Sequence, residues 1–511
     1  MRQISILIVF FGVMMSFFQA NSLFAQTKVE DLKNEQDTLK EKVTTIRDVI
    51  SGVEERLATA EADLTKLTRI KVSGYVQAQW LHNEATSSYP GNLFQVRRAR
   101  VKFTYEPVNG VVFVVQPDFL PGSITLKDAY AQANEPWLKT FSLWVGQFNR
   151  PNYEVEYSSS SREVPERSRV IRALYPGERA IGAKMEIAPP KLPLKIQLAL
   201  FNGNDGLTIT DASGNSINPT NNDFDNAKDF MGRVTYAFKL GNIGGLTIGA
   251  HGYYGKIKAN AYDAINSDYT YNKKIDNIGE TLKRNWLGFE GQLHLDVLGG
   301  LALKGEYIFG VNSTPGYYAT STVVSPMTSA LKNDTLTLTT LTTKTTTARP
   351  AITRNFSGYY IYLIKNIGKR HQIAVRFDQY NPNTKLAADQ IGTAKWDESS
   401  SQTENKYTYA GSDPVVATNA QTKTVVNNLL KSGTADITYS TWTFGYTYFF
   451  DDYIKFMIAY EIPVNRKSGT RDANGDGNIT STYKVNDVTG IYDYSNWIKQ
   501  NVLTVRMQVK F

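Results

Sequence analysis

Apolar and polar residues change places one by one along the end of the chain: Leu503, Val505, Met507, Val509 and Phe511 are apolar, whereas Thr504, Arg506, Gln508 and Lys510 are polar. A period of two sends successive side chains to opposite faces of a strand, and an aromatic residue closing such a run is how the last strand of a transmembrane barrel reads. The same alternation appears near residue 100, where Ala99, Val101, Phe103 and Tyr105 share one face and Arg98, Arg100, Lys102 and Thr104 the other. A charge facing the bilayer midplane costs about 2–4 kcal/mol, so the second face must look into a lumen.

From Ile70 onward the pattern predicts about 16 antiparallel strands, an even number that suits closure into an all-β transmembrane barrel over residues 70–511. Their expected starts are Ile70, Phe94, Gly110, Ser123, Thr140, Ala180, Pro193, Lys228, Gly245, Lys283, Leu301, Asn355, Lys369, Ile437, Tyr453 and Ile498. Connections after even-ranked strands are short, such as Pro107 to Asn109 and Asp451 with Asp452. Those after odd-ranked strands are mostly long and polar, as from Asn149 to Arg179 or Pro382 to Asp436. Short periplasmic turns and long outside loops have this asymmetry, and it places both ends of the barrel in the periplasm. Within one long loop, Thr335 to Thr347 nearly alternates threonine with leucine and is read as an extra hairpin, with a mobile loop as the alternative.

The N-terminal region follows a different period. Arg2, an apolar stretch from Ile4 to Phe18 and Ala25 before Gln26 compose a secretory signal peptide over residues 1–25, too short to span a bilayer. Then Val29, Leu32, Gln36, Leu39, Val43, Ile46, Ile50, Val53, Leu57, Ala60, Leu64 and Leu67 recur at alternating spacings of three and four. That is the seam of an α-helical coiled coil over residues 26–69, a rod of roughly 60 Å preceding the barrel on its periplasmic side.

Composition narrows the chemistry. The 511 residues include no cysteine, which removes disulfides, thiolate nucleophiles and cysteine-ligated zinc. With 30 Tyr, 24 Phe and only 41% hydrophobic residues, the chain is too polar for helical spans yet rich in the aromatics of a barrel's rims. His82, His251, His294 and His371 are scattered, and neither GxSxG nor HExxH occurs, so no enzyme is expected. The net charge of +8 is assigned to a cationic barrel interior rather than to a nucleic-acid partner.

Alternation also sends Arg233, Lys304, Arg376, Lys455 and Arg506 inward, with Glu290, Glu306, Asp378 and Glu461 as candidate partners. The third outside loop concentrates Arg150, Arg162, Arg167, Arg169, Arg172 and Arg179 against Glu154, Glu156, Glu163, Glu166 and Glu178. Of these, Arg167, Arg169 and Arg172 look least matched by neighbouring acids. A loop in this position can fold inward and narrow a channel, where guanidinium forks meet phosphate or carboxylate oxygens; a salt-bridge network holding the loop to the wall is the alternative. In the last outside loop, Asp472, Asn474, Asp476 and Gly477 match the opening of a calcium loop, although Tyr483 stands where a bidentate Glu is usual.

Arg97, Arg98, Ala99 and Arg100; Asp128, Ala129 and Tyr130; Gly146, Gln147, Phe148 and Pro151; Glu166, Arg167 and Ser168; and Arg179 with Gly182 together resemble the phosphate-selective porins O and P, best between Ile70 and Phe238. The resemblance implies a trimeric outer-membrane channel of a Gram-negative bacterium, lined by arginines and lysines, with a basic constriction in its third loop. The candidate anion contacts are then Arg98, Arg100, Lys102, Arg162, Arg167, Arg169, Arg172, Arg179 and Lys304. The later strands carry no dense basic ladder, so a small-solute porin with broad anion preference is expected rather than a strict phosphate channel. The competing expectation is a structural protein, its barrel anchored among outer-membrane lipids and its rod tethered to the cell wall. Sixteen strands make a wider barrel than an anchor needs, since about eight already fill their interior.

Overall fold

The computed structural model describes residues 2–84, 91–151, 154–156, 158–175, 178–203, 209–210, 216–217, 227–259, 263–265, 271–274, 280–324, 328–332, 335–339, 342–349, 351–386, 394–399, 428–431, 436, 438–464 and 501–511. It divides into two units, Met1–Ile70 and Lys71–Phe511.

The first unit is a single helix, α1 (Arg2–Thr68), which runs without a break across the expected cleavage point after Ala25. In the single chain its seam residues are uncovered: Leu32, Leu39, Val43, Ile46, Ile50, Val53 and Leu57 are each more than half exposed.

The second unit is a closed antiparallel barrel of sixteen strands. They are β1 (Ile70–Asn83), β2 (Asn92–Val108), β3 (Val111–Leu120), β4 (Ser123–Asn134), β5 (Phe141–Asn149), β6 (Arg179–Ile187), β7 (Leu194–Phe201) and β8 (Asp229–Lys239). The circuit continues through β9 (Gly244–Lys258), β10 (Thr281–Leu295), β11 (Leu301–Thr314), β12 (Ala351–Ile367), β13 (His371–Asn381), β14 (Tyr439–Phe449), β15 (Ile454–Pro463) and β16 (Val502–Lys510). Every start lies within four residues of the one read from alternation. Each strand pairs with its neighbours in sequence, and β16 returns to β1 from Tyr75↔Lys510 to Asn83↔Val502, which removes both sheet edges. Gly74 and Phe511 exchange backbone hydrogen bonds of 2.9 and 3.0 Å, locking the last residue into the seam.

The outer face carries the apolar half of each pattern. Phe103, Val115, Val145, Val234, Phe289, Ile361, Phe444, Ile458 and Val505 are all exposed, as lipid contact requires, and Trp137, Phe450, Tyr453 and Phe511 ring the end with the short turns. One outside connection departs from the long-loop rule. Between β3 and β4 only Pro121 and Gly122 intervene, with Gly122 at φ +78°, a turn that glycine adopts without strain. Thr335–Thr339 is strand but pairs with the preceding Thr328–Lys332, and Thr342–Arg349 pairs with Tyr317–Val324, so Thr335 to Thr347 is not a hairpin by itself.

Candidate channel constriction

The inward half of the pattern is cationic, aromatic and acidic, with the largest aromatic cluster on β9, β10, β12 and β13. The connection between β5 and β6 decides what they do, because it folds into the lumen. It contains a short helix, α2 (Arg169–Leu174), whose Val170, Ile171 and Leu174 are buried, followed by buried Tyr175. Their cover comes from Tyr253, Trp286, Phe356, Tyr360, Tyr362 and Tyr380 on β9, β10, β12 and β13. Trp286 donates a 2.7 Å hydrogen bond to the Tyr175 hydroxyl, so both polar ends of this aromatic pair are satisfied in an apolar setting. The wall admits the loop where it lacks side chains: a Cβ at Gly358 would lie 2.7 Å from Val170, and one at Gly445 only 3.2 Å from the Glu163 carbonyl.

A loop brought into a lumen leaves backbone carbonyls that need donors. Wall side chains supply them. Gln77 donates to Ser159 O at 2.9 Å, Gln508 to Ser160 O at 3.0 Å and Lys455 to Arg162 O at 3.3 Å. Arg506 reaches Pro165 O at 2.8 Å, and Arg376 reaches Glu166 O at 2.5 Å. Within the loop, the Glu156 carboxylate accepts from Ser168 N at 3.0 and 2.9 Å and from Ser168 Oγ at 2.8 Å. It also accepts from the Tyr362 hydroxyl on the wall. Glu166 is gripped by Arg97 through two bonds of 2.9 and 3.0 Å and by Arg506 at 2.9 Å. These are charge-assisted bonds in a largely desolvated place, where each is stronger than its surface equivalent.

The residues expected to touch anions separate accordingly. Arg98 is buried beneath the loop, donating to Gln77 at 3.0 Å, so it does not form one open wall with its strand neighbours. Arg100 and Lys102 do border a cavity of about 360 Å³, shared with Tyr75, Ser158 to Ser160, Arg179, Asp128 and Lys510. Arg100 is paired with Asp118 at 2.8 Å, and Arg179 with Asp128 at 3.1 Å and Glu178 at 2.5 Å. The lining thus holds four cations against Asp128 alone. Arg167 is not under-matched as the local sequence suggested. It bonds Glu178 and the Glu156 carbonyl, because the loop closes on itself and brings distant acids to it. Arg169 stacks at 4.0 Å over the Tyr439 ring, and Arg172 is exposed. Lys304 bonds Glu163 of the loop at 2.6 Å, not an acid of its own wall.

Arg162 has no such partner. It is 4% exposed, and none of its three guanidinium nitrogens is hydrogen-bonded among the described residues. Around it a small void is lined by Gln77, Ser159, Val164, Lys455, Met457, Arg506 and Gln508, which include two further cations and no acid.

Arg97, Gln77, Ser159 and Lys510 belong to this site without having been singled out. Arg97 shares the sequence parity of the outward Ala99 and Val101, so alternation hides it. The run Asp472, Asn474 and Asp476 lies outside the described residues.

Residues 70–297 match the family model described as phosphate-selective porin O and P. No curated protein sequence matches the chain. Among solved structures, the chain is similar to an anion-selective porin from Comamonas acidovorans, at 10% identity and TM-score 0.45, covering 86% of this chain and 99% of that one. The outer membrane channel DcaP of Acinetobacter baumannii gives 10% and 0.45 over 86% and 97% of the two chains, and Pseudomonas putida OprB gives 8% and 0.46 over 89% and 96%. At such identities the likeness carries nothing about the solute. Over residues 70–297, then, the chain is similar to the phosphate-selective porins O and P.

Proposed function

We propose that the protein is an outer-membrane porin that passes small solutes by diffusion and prefers anions, with the inward loop and the β1, β2 and β16 wall forming its selective constriction. The observation that carries this reading is Arg162, a buried guanidinium with no hydrogen-bond partner among the described residues, beside Lys455 and Arg506. A buried cation without hydrogen bonds is costly, and its field, added to those of Lys455 and Arg506, favours an anion in the lumen nearby. Lys102 and Lys510, which line the adjoining cavity beside the acid-paired Arg100 and Arg179, extend the positive field and raise the local anion concentration. Arg98, Arg167, Arg169 and Lys304 act in this reading by holding the loop, and Arg172 by presenting charge to water.

The exposed heptad stripe of α1 supports self-assembly through a parallel coiled coil, which would sit in the periplasm once the signal segment is removed, and the resemblance to porins supports three chains. Liposome swelling tests the transport reading. Proteoliposomes should admit a small carboxylate faster than a neutral sugar of equal size, and equal rates would count against the anion preference.

A further inference from the structure

On the wall opposite the cationic cavity, three lumen-facing strands bring together side chains that the constriction does not use. His251 of β9, Glu290 of β10 and Glu306 of β11 each offer a ligand atom, and these atoms all lie within 4.8 Å of one another. The register makes the grouping. Glu290 stands directly opposite Glu306, and His251 stands opposite Gly288, two residues from Glu290 along the same face. Gly288 leaves room for the imidazole, because a Cβ there would lie 2.1 Å from His251 Cε1.

Like charges directly opposed across a ladder repel, so this pair needs something between or beside it. Glu290 has Arg233, whose Nε donates at 3.1 Å and whose second nitrogen also bonds the carboxylate. Among the described residues Glu306 has no cation in an ion pair except His251; one oxygen accepts the Tyr360 hydroxyl, and the other, Oε1, has no hydrogen-bond partner. His251 is 3% exposed, and both of its ring nitrogens are likewise unpartnered. Its Nδ1 lies 3.5 Å from Glu306 Oε1, too long and misaligned for a hydrogen bond but close to the roughly 3.3 Å that separates two ligands of one tetrahedral zinc ion.

We infer that His251, Glu290 and Glu306 bind a divalent transition-metal ion of the zinc class. One imidazole with two carboxylates suits such an ion, whereas calcium prefers more ligands, all of them oxygen. Arg233 orients Glu290 and Tyr360 orients Glu306, as outer partners do around ligating carboxylates. Three protein ligands leave one position for water or a small anion. Glu306 and Tyr360 are adjacent to Tyr362, which bonds Glu156 of the loop, so the ion would brace the wall against which the loop is anchored.

The test uses full-length, tag-free protein in detergent, stripped with chelator, titrated with zinc chloride and assayed by calorimetry and by elemental analysis after dialysis. About one zinc per chain is expected, with at least a tenfold weaker affinity in Glu306→Gln and in His251→Gln, both checked for the heat-modifiable migration of a folded barrel. Should Glu306→Gln fail to fold, His251→Gln carries the same comparison, together with cobalt d–d absorption that the wild type shows and the variant lacks. No zinc retained by the folded wild type, or equal uptake by the variants, would overturn the site. Neither result depends on the anion reading.

Discussion

Two sectors of one barrel wall treat the same inward loop in opposite ways. From β1 to β4 and at β16 the lumen side is cationic and hydrophilic, and an open cavity of about 360 Å³ separates part of it from the loop. From β9 to β13 it is aromatic and closely packed, with Trp286, Tyr360 and Tyr362 covering α2. The first sector is suited to passage and the second to anchorage. The difference shows that inward-facing cations in a barrel are not equivalent: Arg376, Lys455 and Arg506 spend donors on loop carbonyls, and only what remains uncommitted can meet a solute.

That contrast can be broken most severely from the anchoring side. Glu156→Ala removes the carboxylate that joins Ser168, Tyr362 and Arg376, and breaking such a buried charged cluster costs about 3–5 kcal/mol. The loop should leave the wall while the barrel persists, so single-channel conductance should rise several-fold and anion preference should fall. An unchanged conductance would mean that the loop does not narrow the pore. Trp286→Ala attacks the same sector through packing. It removes the ring stacked on Tyr253 and the hydrogen bond to Tyr175, a loss of about 3–5 kcal/mol shared between loop and wall. The expected result is a noisier, larger conductance with a lower unfolding midpoint.

On the passage side the effects should be electrostatic rather than structural. Lys102→Gln takes away a cavity-lining charge for which no partner is found among the described residues. It should lower chloride conductance about twofold at low salt and much less at 1 M, where the Debye length is about 3 Å. The smallest effect concerns the rim. Glu84 accepts hydrogen bonds from Tyr460 at 2.6 Å and Asn501 at 2.7 Å, and these hold its carboxyl below the ordinary range. A depressed carboxylate contributes its stability above the unfolded value and loses it as pH falls through the folded one. The seam between β1 and β16 should therefore be indifferent to pH from 8 to 5 and loosen only below about 4, by hydrogen exchange at Glu84, whose N–H donates to Asn501 O.

How far the sequence reveals this arrangement depends on which interaction sets each feature. Strand number and order are legible because period two is imposed by lipid on one face of every strand, as in Val505, Met507 and Val509. Face is legible, but neighbour is not. Alternation places Arg506 inward without showing that Glu166 and Pro165 arrive from a loop far away in the chain. Arg167 looks unmatched until the loop closes and brings Glu178 beside it. Arg97 is missed because its hydrogen bonds to Glu166 override the parity it shares with Ala99. His251 looks isolated for the same reason, since Glu290 and Glu306 reach it only through strand register.

The central claim is that uncommitted cations, Arg162 foremost, make the lumen favour anions. The most direct measurement is the reversal potential of the reconstituted full-length protein in a KCl gradient across a planar bilayer, compared with Arg162→Glu. Wild type should reverse at the sign set by chloride crossing faster than potassium, and the variant should shift toward zero or beyond it. A cation-selective or unselective wild type, or a variant with the same reversal potential, would contradict the account.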